Sequence, residues 1–574
     1  MLAFNIEHAR STVLTTLLLC SSLVAVAISS HAKAAGNPDD VGSYNDLIVL
    51  FENFVAWRDT PPPVDGIIDY SIDAVARRRI EMQRFQQHLS NIGITRWDRP
   101  QEVDYLAVRA QFDEQDFLLN IAKPWSRDPG FYVDKMLYLA FTELPLKGQD
   151  REIFQARLRA IPKLVEDAKN NLIEVPAEFA DLATFNLTTS DGVGYGYPYR
   201  EIPPKGVIGW YEDLLIHAGQ QTALRTEIST ALASIREFHK WLVRNRTKMT
   251  ASAGVGKKAF DWFLKHALLL PYTSDQVITV TQRELERTWA AYTLERHKNR
   301  DLPELELSDS REEYLSRIAE TDKLVREWLI EEEFISIPDF IPTDWRKMGF
   351  NVPWLERPEG PNFWEQIQYR DPSPDHLHAV IPGHRFDERY ALQNTHPIRQ
   401  HIRDGVRHQG WGVYLEEAPL QLGLFDDLPR TRELIYIFGI FRAARTVGDV
   451  FMQRNEWSID ETINYWIEST PYLDQNVAQV DAELYLRRNI TTFGAYTISS
   501  LNMALNYTIG HIQIKKLLAD VKKQLGDAFI LKDFHDEFLT KSRIPISLIR
   551  YEMTGKDDEV QVLRDRTLLS ELEF

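Results

Sequence analysis

The sequence has almost no cysteine. Its single cysteine, Cys20, lies in an apolar N-terminal segment that we predict to be removed from the mature protein. A mature chain of this kind has no disulfide bond and no cysteine-ligated metal, so any metal ion must be held by His, Asp or Glu.

A basic surface is also missing. The chain has 66 Lys and Arg residues against 84 Asp and Glu residues, and its formal net charge is −18. No block of Lys and Arg with interleaved aromatic residues interrupts this acidic composition. Because nucleic-acid phosphates and anionic lipids repel an acidic protein, we expect no nucleic-acid partner.

Long apolar runs are restricted to the N-terminus. Arg10 precedes an almost uncharged segment from Val13 to Ile28, and the small-residue motif Ala32-Lys33-Ala34 follows it. This order is typical of a secretory signal peptide, which we place at residues 1–34. After cleavage, no remaining run reaches the roughly 18 apolar residues that a membrane span needs. The sequence therefore predicts export across the inner membrane, to the periplasm.

Two alternatives to a cleaved signal peptide remain open. The segment can be retained as an N-terminal anchor, or the chain can be processed as a lipoprotein at Cys20. Leu19, directly before Cys20, is too large for the residue that precedes a lipid-modified cysteine. The sequence favours ordinary cleavage after Ala34.

Strand patterns and nucleotide-binding glycine motifs are absent, whereas helical patterns are frequent. Capping boxes at residues 273–276 and 458–461 predict helix starts, and Gly526 stands where a helix is expected to end. Apolar residues recur at helical spacing, for example at Ile72, Val75, Met82, Phe85 and Leu89. We predict an all-α fold with a central cleft, with room for a few short strands near the Pro-rich segment 336–374.

The length of 574 residues exceeds what a single core usually serves. We predict an N-terminal helical lobe at residues 35–250 and a C-terminal helical lobe at residues 251–574. The Pro-rich segment ends directly before the most informative part of the chain, and a loop of this length is often functional.

Two segments of the C-terminal lobe contain most of the chemical information. Residues 376–390 read HLHAVIPGHRFDERY, and residues 408–417 read HQGWGVYLEE. His378 and His384 are six residues apart, so they would point about 120° apart on an unbroken helix. Pro382 and Gly383 supply a break that can turn His384 towards His378. We therefore expect the two imidazoles to lie together.

These segments resemble the bacterial domain-of-unknown-function family DUF885. The family pattern is H-E-x-x-P-G-H-x-x-Q followed by E-G-W-A-x-Y-x-E. Further resemblance is found at residues 128–132, 445–449 and 525–548. Family members are regarded as gluzincin-like zinc metallopeptidases. The resemblance thus implies a large multi-helix metallopeptidase scaffold with metal ligands at His378 and His384.

The chain departs from the family pattern where the catalytic chemistry is expected. Ala379 stands in place of the family glutamate at the general-base position, and Gln409 in place of the family glutamate that is expected to bind the metal. A methyl group accepts no proton, and a neutral amide is a poor zinc ligand. Asp387 and Gln453 replace a family Gln and a family His. The resemblance therefore implies a degenerate site.

Other site residues have structural as well as functional interpretations. The family tyrosine is retained as Tyr507, a candidate oxyanion donor. Asp387, Trp411, Tyr414, Asp449 and Gln453 are predicted to line the cleft, although Trp411 and Tyr414 suit core packing and Asp449 suits a buried pair with Arg445 or a neighbour. His376 and Glu416 are alternate metal ligands, and Glu416 equally suits a pair with an arginine. His401 and His408 suit the surface.

Three hypotheses follow from the sequence. The first is an exported pseudopeptidase that binds peptide-like ligands without hydrolysing them, with no cofactor or with weakly bound zinc. The second is an active metal-dependent hydrolase with a reorganised site of His376, His378, His384 and Glu416. The third is a partner-binding or assembly protein with a vestigial cleft.

Overall fold

The computed structural model describes residues 42–59, 66–190, 204–357, 359–487 and 503–572. The predicted signal peptide at residues 1–34 lies outside these ranges. Within them the chain is helical, which confirms the predicted all-α fold. No helix in these ranges combines the length and the apolar character that a membrane crossing requires.

The described residues of the N-terminal half form eleven α-helices, together with a π-helix at Leu118–Ala122 and a 3-10 turn at Arg246–Lys248. The α-helices are α1 (Tyr44–Arg58), α2 (Ile72–Ser90), α3 (Arg99–Phe117), α4 (Pro124–Arg127), α5 (Pro129–Ala140), α6 (Gly148–Asn171), α7 (Ala177–Thr188), α8 (Gly206–His217), α9 (Thr222–Asn245), α10 (Lys257–His266) and α11 (Ser274–Lys298).

In the C-terminal half, the part of the chain that the structure describes adds thirteen α-helices and three 3-10 turns, at Arg399–His401, Gly526–Ala528 and Leu569–Glu571. The α-helices are α12 (Arg311–Glu331), α13 (Trp345–Met348), α14 (Phe363–Gln368), α15 (Ser373–Ala379), α16 (His384–Ala391), α17 (Gly405–Gln421), α18 (Pro429–Gln453), α19 (Ile459–Ser469), α20 (Gln475–Arg487), α21 (Leu505–Leu525), α22 (Leu531–Thr540), α23 (Ile546–Thr554) and α24 (Asp558–Arg564).

Local sequence signals determine several of the helix ends. The Thr273 and Ser458 side chains each accept a hydrogen bond from the backbone three residues on, and both form complete capping boxes, as predicted. Gly526, with φ of 55°, ends α21 in a conformation that favours glycine. These capping predictions are confirmed.

The expectation of short strands near residues 336–374 is wrong for the described part of that segment. It contains the short helices α13 and α14 and connecting turns. The described ranges contain one isolated β-bridge, between Pro176 and Ala251, far from this segment in the sequence. Frequent prolines remove backbone donors, so this stretch makes turns rather than a paired ladder.

The largest buried apolar cluster includes side chains from Leu47 to Leu569 and thus from both predicted lobes. Helices α17 and α21 cross within it at backbone contact. A Cβ placed on Gly410 would lie 2.4 Å from the Cα of Gly510, so only glycines permit this approach. The crossing brings residues 408–417 next to residues 507–511.

Candidate functional site

The site begins with a sharp turn between α15 and α16. Helix α15 ends at Ala379 and α16 starts at His384, so Pro382 and Gly383 break the helix between the two histidines. A Cβ on Gly383 would lie 2.0 Å from the backbone oxygen of His378, and the turn therefore requires glycine. The Trp411 indole donates to the Pro382 oxygen at 3.0 Å and fastens the turn to α17.

This turn brings the two histidine rings together. The ring centroids of His378 and His384 are 4.6 Å apart. Gln409, which reaches them from α17, has its Oε1 3.0 Å from His384 Nε2. The amide of Gln409 thus bonds to His384, at the position where the family pattern has a carboxylate.

Glu416 and Arg442 form an ion pair that contacts the His378 ring. Arg442 binds Glu416 through both guanidinium nitrogens, each at 2.6 Å. Nδ1 of His378 lies 2.7 Å from Glu416 Oε1 and 3.2 Å from Arg442 Nη2. Burial, and next the Arg442 charge, lower the pKa of His378 to about 3, whereas burial raises the pKa of Glu416 to about 8. The imidazole is therefore neutral at pH 7.

His384 has a different environment. Its ring stacks on His408 at a centroid distance of 3.8 Å, and burial, followed by the two neighbouring histidines, holds its pKa well below the usual value. Its Nδ1 has no hydrogen-bond partner in the described structure. Asp387, which is on the same helix as His384, does not bond to this nitrogen; it pairs with Arg407 at 2.7 Å. Because His408 is buried, its predicted surface position is wrong; the stack with His384 explains the burial.

Ala379 and Gly412 leave apolar surface near the histidines. Ala379 is 5% exposed and belongs to the main apolar core. A Cβ on Gly412 would lie 2.5 Å from His378 Cε1, so the His378 ring occupies space that the alanine of the family pattern would fill. With an alanine at position 412, the His378 ring could not take the position that it has here.

The family-type zinc centre does not fit these residues. The donors that converge are two imidazoles and one neutral amide, and the carboxylate nearest to His378 is already bound by Arg442. A dication would also approach a buried guanidinium. His384 lacks the second-shell acceptor that usually fixes a zinc-bound imidazole, because its Nδ1 makes no hydrogen bond to any described residue.

Some predicted site residues bond elsewhere. His376 is directed to Asp322 on α12, with Nε2 3.1 Å from Oδ1. The Tyr414 hydroxyl lies 2.8 Å from His535 Nε2, and the other nitrogen of His535 bonds to the Phe334 oxygen at 2.7 Å. These contacts fasten α12 and α22 to the site and involve neither His378 nor His384.

Two buried residues of α18, Arg445 and Asp449, bond to the helices that surround the site. Arg445 donates to Asp481 at 3.0 Å and to the Tyr485 hydroxyl at 2.6 Å, so its carboxylate partner is Asp481. Asp449, predicted to pair with Arg445 or a neighbour, accepts a hydrogen bond from the Ala504 backbone at 3.0 Å. That bond fixes the start of α21.

Tyr507 and Gln453 contact different parts of the structure. Tyr507 is partly exposed, its ring is stacked 6.0 Å from His378, and the Arg442 and Arg445 guanidinium carbons lie 5.7 and 5.0 Å from its centroid. The Gln453 amide donates to the Tyr485 backbone oxygen at 3.1 Å. The structure thus brings Tyr507 to the histidine pair and connects Gln453 to α20.

Sequence reasoning missed a second polar cluster on the other face of α17. Glu284 of α11, Glu417 of α17 and His511 of α21 place one ligand-type atom each within 4.8 Å of one another. Arg442, the arginine that binds Glu416 beside His378, was also missed. Their separations of about 26 to 230 positions follow no short motif, and no local sequence signal would have found them.

The family comparison agrees with the motif analysis. Residues 376–553 match the model of a bacterial protein family of unknown function, DUF885. The matched range contains His378, His384, Gln409, Glu416 and Tyr507. The match supports the predicted family for this part of the chain. No curated protein is significantly similar to the sequence.

Two solved structures share the fold. One is a predicted lipoprotein of unknown function from Shewanella oneidensis, with a TM-score of 0.67 and 16% identity, over 89% of this chain and 100% of that one. The other is a predicted lipoprotein from Colwellia psychrerythraea, with a TM-score of 0.64 and 14% identity, over 91% of this chain and 100% of that one. At these identities the similarity concerns the fold.

Proposed function

We propose that this protein is a pseudopeptidase: a DUF885-like protein that binds peptide-like ligands and does not hydrolyse them. The observation that carries the proposal is the hydrogen bond between Gln409 Oε1 and His384 Nε2. A neutral amide bonds to His384 where a zinc ion and its carboxylate ligand would be required. Residues 1–34 and the lipoprotein descriptions of the two solved structures support export of the chain.

Hydrolysis by the family mechanism would also need a general base. Ala379 provides a methyl group at that position, and a positioned base contributes roughly 10²–10⁴ to the rate. Glu416 is bound by Arg442 and His378, so it is held away from this role. The chain's own residues therefore provide positioning and hydrogen bonds but no proton acceptor for attacking water.

A ligand can approach three partly exposed groups. Gln409, His384 and Tyr507 are the members of the site that remain accessible to solvent. Together they offer an amide, an imidazole and a phenol, all of them neutral at pH 7. Neutral donors and acceptors suit the N–H and C=O groups of a peptide backbone, which is why we infer a peptide-like ligand.

Incubation with a mixture of random hexapeptides tests the proposal. We expect peptides to be retained in equilibrium dialysis and to remain intact by mass spectrometry. Gln409→Ala and Tyr507→Phe should each weaken retention about fivefold, because each removes one hydrogen bond worth about 1 kcal/mol.

Gln561→Ala is the matched control, because Gln561 is an exposed glutamine on α24. It should leave retention unchanged. Hydrolysis that disappears in His378→Ala would contradict the proposal and favour the metal-dependent hydrolase. If no hexapeptide is retained, ligand binding is excluded and the partner-binding protein with a vestigial cleft becomes the better account.

A further inference from the structure

Glu284, Glu417 and His511 converge from three different helices. Glu417 and His511 are buried, and Glu284 is partly buried. Glu284 and His511 meet Glu417 on one face of α17. The neighbouring Glu416 points instead to His378 and Arg442. Two carboxylates and one imidazole form a donor set that divalent transition metals accept, zinc included.

The distance between two of these donors has the value expected for ligands of one ion. His511 Nε2 and Glu417 Oε2 are 3.2 Å apart. At this distance His511 Nε2 nevertheless has no hydrogen-bond partner of regular geometry among the described groups. Zinc bonds of about 2.0–2.2 Å in a tetrahedral arrangement separate neighbouring donors by about 3.4 Å. The pair is thus spaced for an ion and poorly aligned for a hydrogen bond.

A small cavity adjoins the three donors. It offers about 20 Å³ to water-sized molecules, and Glu284, Glu417 and His511 line it together with Thr288, Thr508 and Arg442. This volume admits one water molecule. Three protein ligands and one water complete the four positions of a tetrahedral ion.

Two flexible cations now neutralise the carboxylates. Arg287 binds Glu284 and Glu417, the latter at 3.0 Å, and Lys515 binds Glu417 at 3.0 Å. Their side chains are 43% and 36% exposed, so both reach the cluster from the surface and can return to water. The carboxylates themselves are largely buried, with Glu417 9% and Glu284 17% exposed, and Arg287 binds Glu284 through two nitrogens. A dication must displace Arg287 and Lys515 from these carboxylates in order to bind.

We propose that Glu284, Glu417 and His511 form a divalent transition-metal site, separate from the degenerate histidine pair, and that Arg287 and Lys515 balance its charge when no ion is bound. The proposal is independent of peptide binding at Gln409. Any zinc held by this chain is then bound by His511 rather than by His378.

Zinc titration of the purified full-length mature chain, followed by isothermal calorimetry and by plasma mass spectrometry after dialysis, tests this site. We expect one zinc per chain in the unmodified protein. Glu417→Gln and His511→Ala should each weaken zinc binding by at least about 100-fold. Loss of a residue that only supports a metal ligand lowers metal affinity by up to about 100-fold, and these two residues are the ligands themselves. Arg287→Gln should tighten it about fivefold, because a competing ion pair is removed.

His384→Ala is the decisive control, because His384 bonds to Gln409 and stacks on His408 and makes no hydrogen bond to Glu416 or Arg442 in the described structure. Circular dichroism of each variant verifies folding. Zinc binding should be unchanged in His384→Ala. The proposal is overturned if the unmodified protein binds no zinc, if binding survives His511→Ala, or if it is lost in His384→Ala. Because peptide retention is measured separately, failure of this site and failure of the proposed function are distinguishable.

Discussion

Gly383→Ala should lower the free energy of unfolding by about 3 kcal/mol or more. The added Cβ would lie 2.0 Å from the oxygen and 2.3 Å from the carbonyl carbon of His378, both backbone atoms of the preceding helix. Backbone cannot rotate away as a side chain can, so the turn between α15 and α16 must open. Denaturant unfolding monitored by circular dichroism measures the loss.

Gly93→Ala is the matched control for Gly383→Ala. A Cβ on Gly93 meets no described atom within 4 Å, and Gly93 is outside the left-handed region, so its stability should change by less than about 0.5 kcal/mol. An equal, small effect at both glycines would show that the turn does not depend on the close approach. The account of how His384 reaches His378 would then be wrong.

Arg445→Met should cost about 3–5 kcal/mol of stability at pH 7. Arg445 is 2% exposed and is the cation bound to Asp481, and burial raises the pKa of that aspartate while Arg445 opposes the rise. Removal of the guanidinium leaves a buried carboxylate without its countercharge, a change that usually costs this much. Tyr507 also loses the cation over its ring.

The double variant Arg445→Met/Asp481→Asn should recover at least half of that loss, because it removes the uncompensated charge together with its partner. Arg236→Met serves as the exposed control: its pair with Glu212 is about half exposed, so the expected change is below about 1 kcal/mol. A single Arg445→Met variant as stable as the Arg236→Met control would contradict the assigned pair.

The sequence predicted the local parts of the fold. Helical spacing, the capping boxes at Thr273 and Ser458 and the helix end at Gly526 depend on residues within one or two turns, and all appear in the structure. The strands expected near residues 336–374 do not form in the described residues, because composition alone cannot separate Pro-rich turns from short edge strands.

The site was predictable only where its members are close in sequence. The six-residue spacing of His378 and His384 and the Pro-Gly break predicted that the rings meet, and their centroids lie 4.6 Å apart. Arg442 reaches Glu416 from another helix, and His511 lies 94 positions beyond Glu417. Contacts of this kind depend on how α17, α18 and α21 pack, which no short pattern encodes.

We expect the His378–His384 pair to hold no zinc. Zinc content in a His511→Ala background tests this central expectation most directly, because this variant removes the Glu284–Glu417–His511 site from the measurement. The protein is purified without chelator or affinity metal and analysed by plasma mass spectrometry. We predict no zinc in His511→Ala and about one ion per chain in His511→Ala/Ala379→Glu/Gln409→Glu, where the family carboxylates are restored. About one zinc in His511→Ala that disappears when His378→Ala is added would contradict the account.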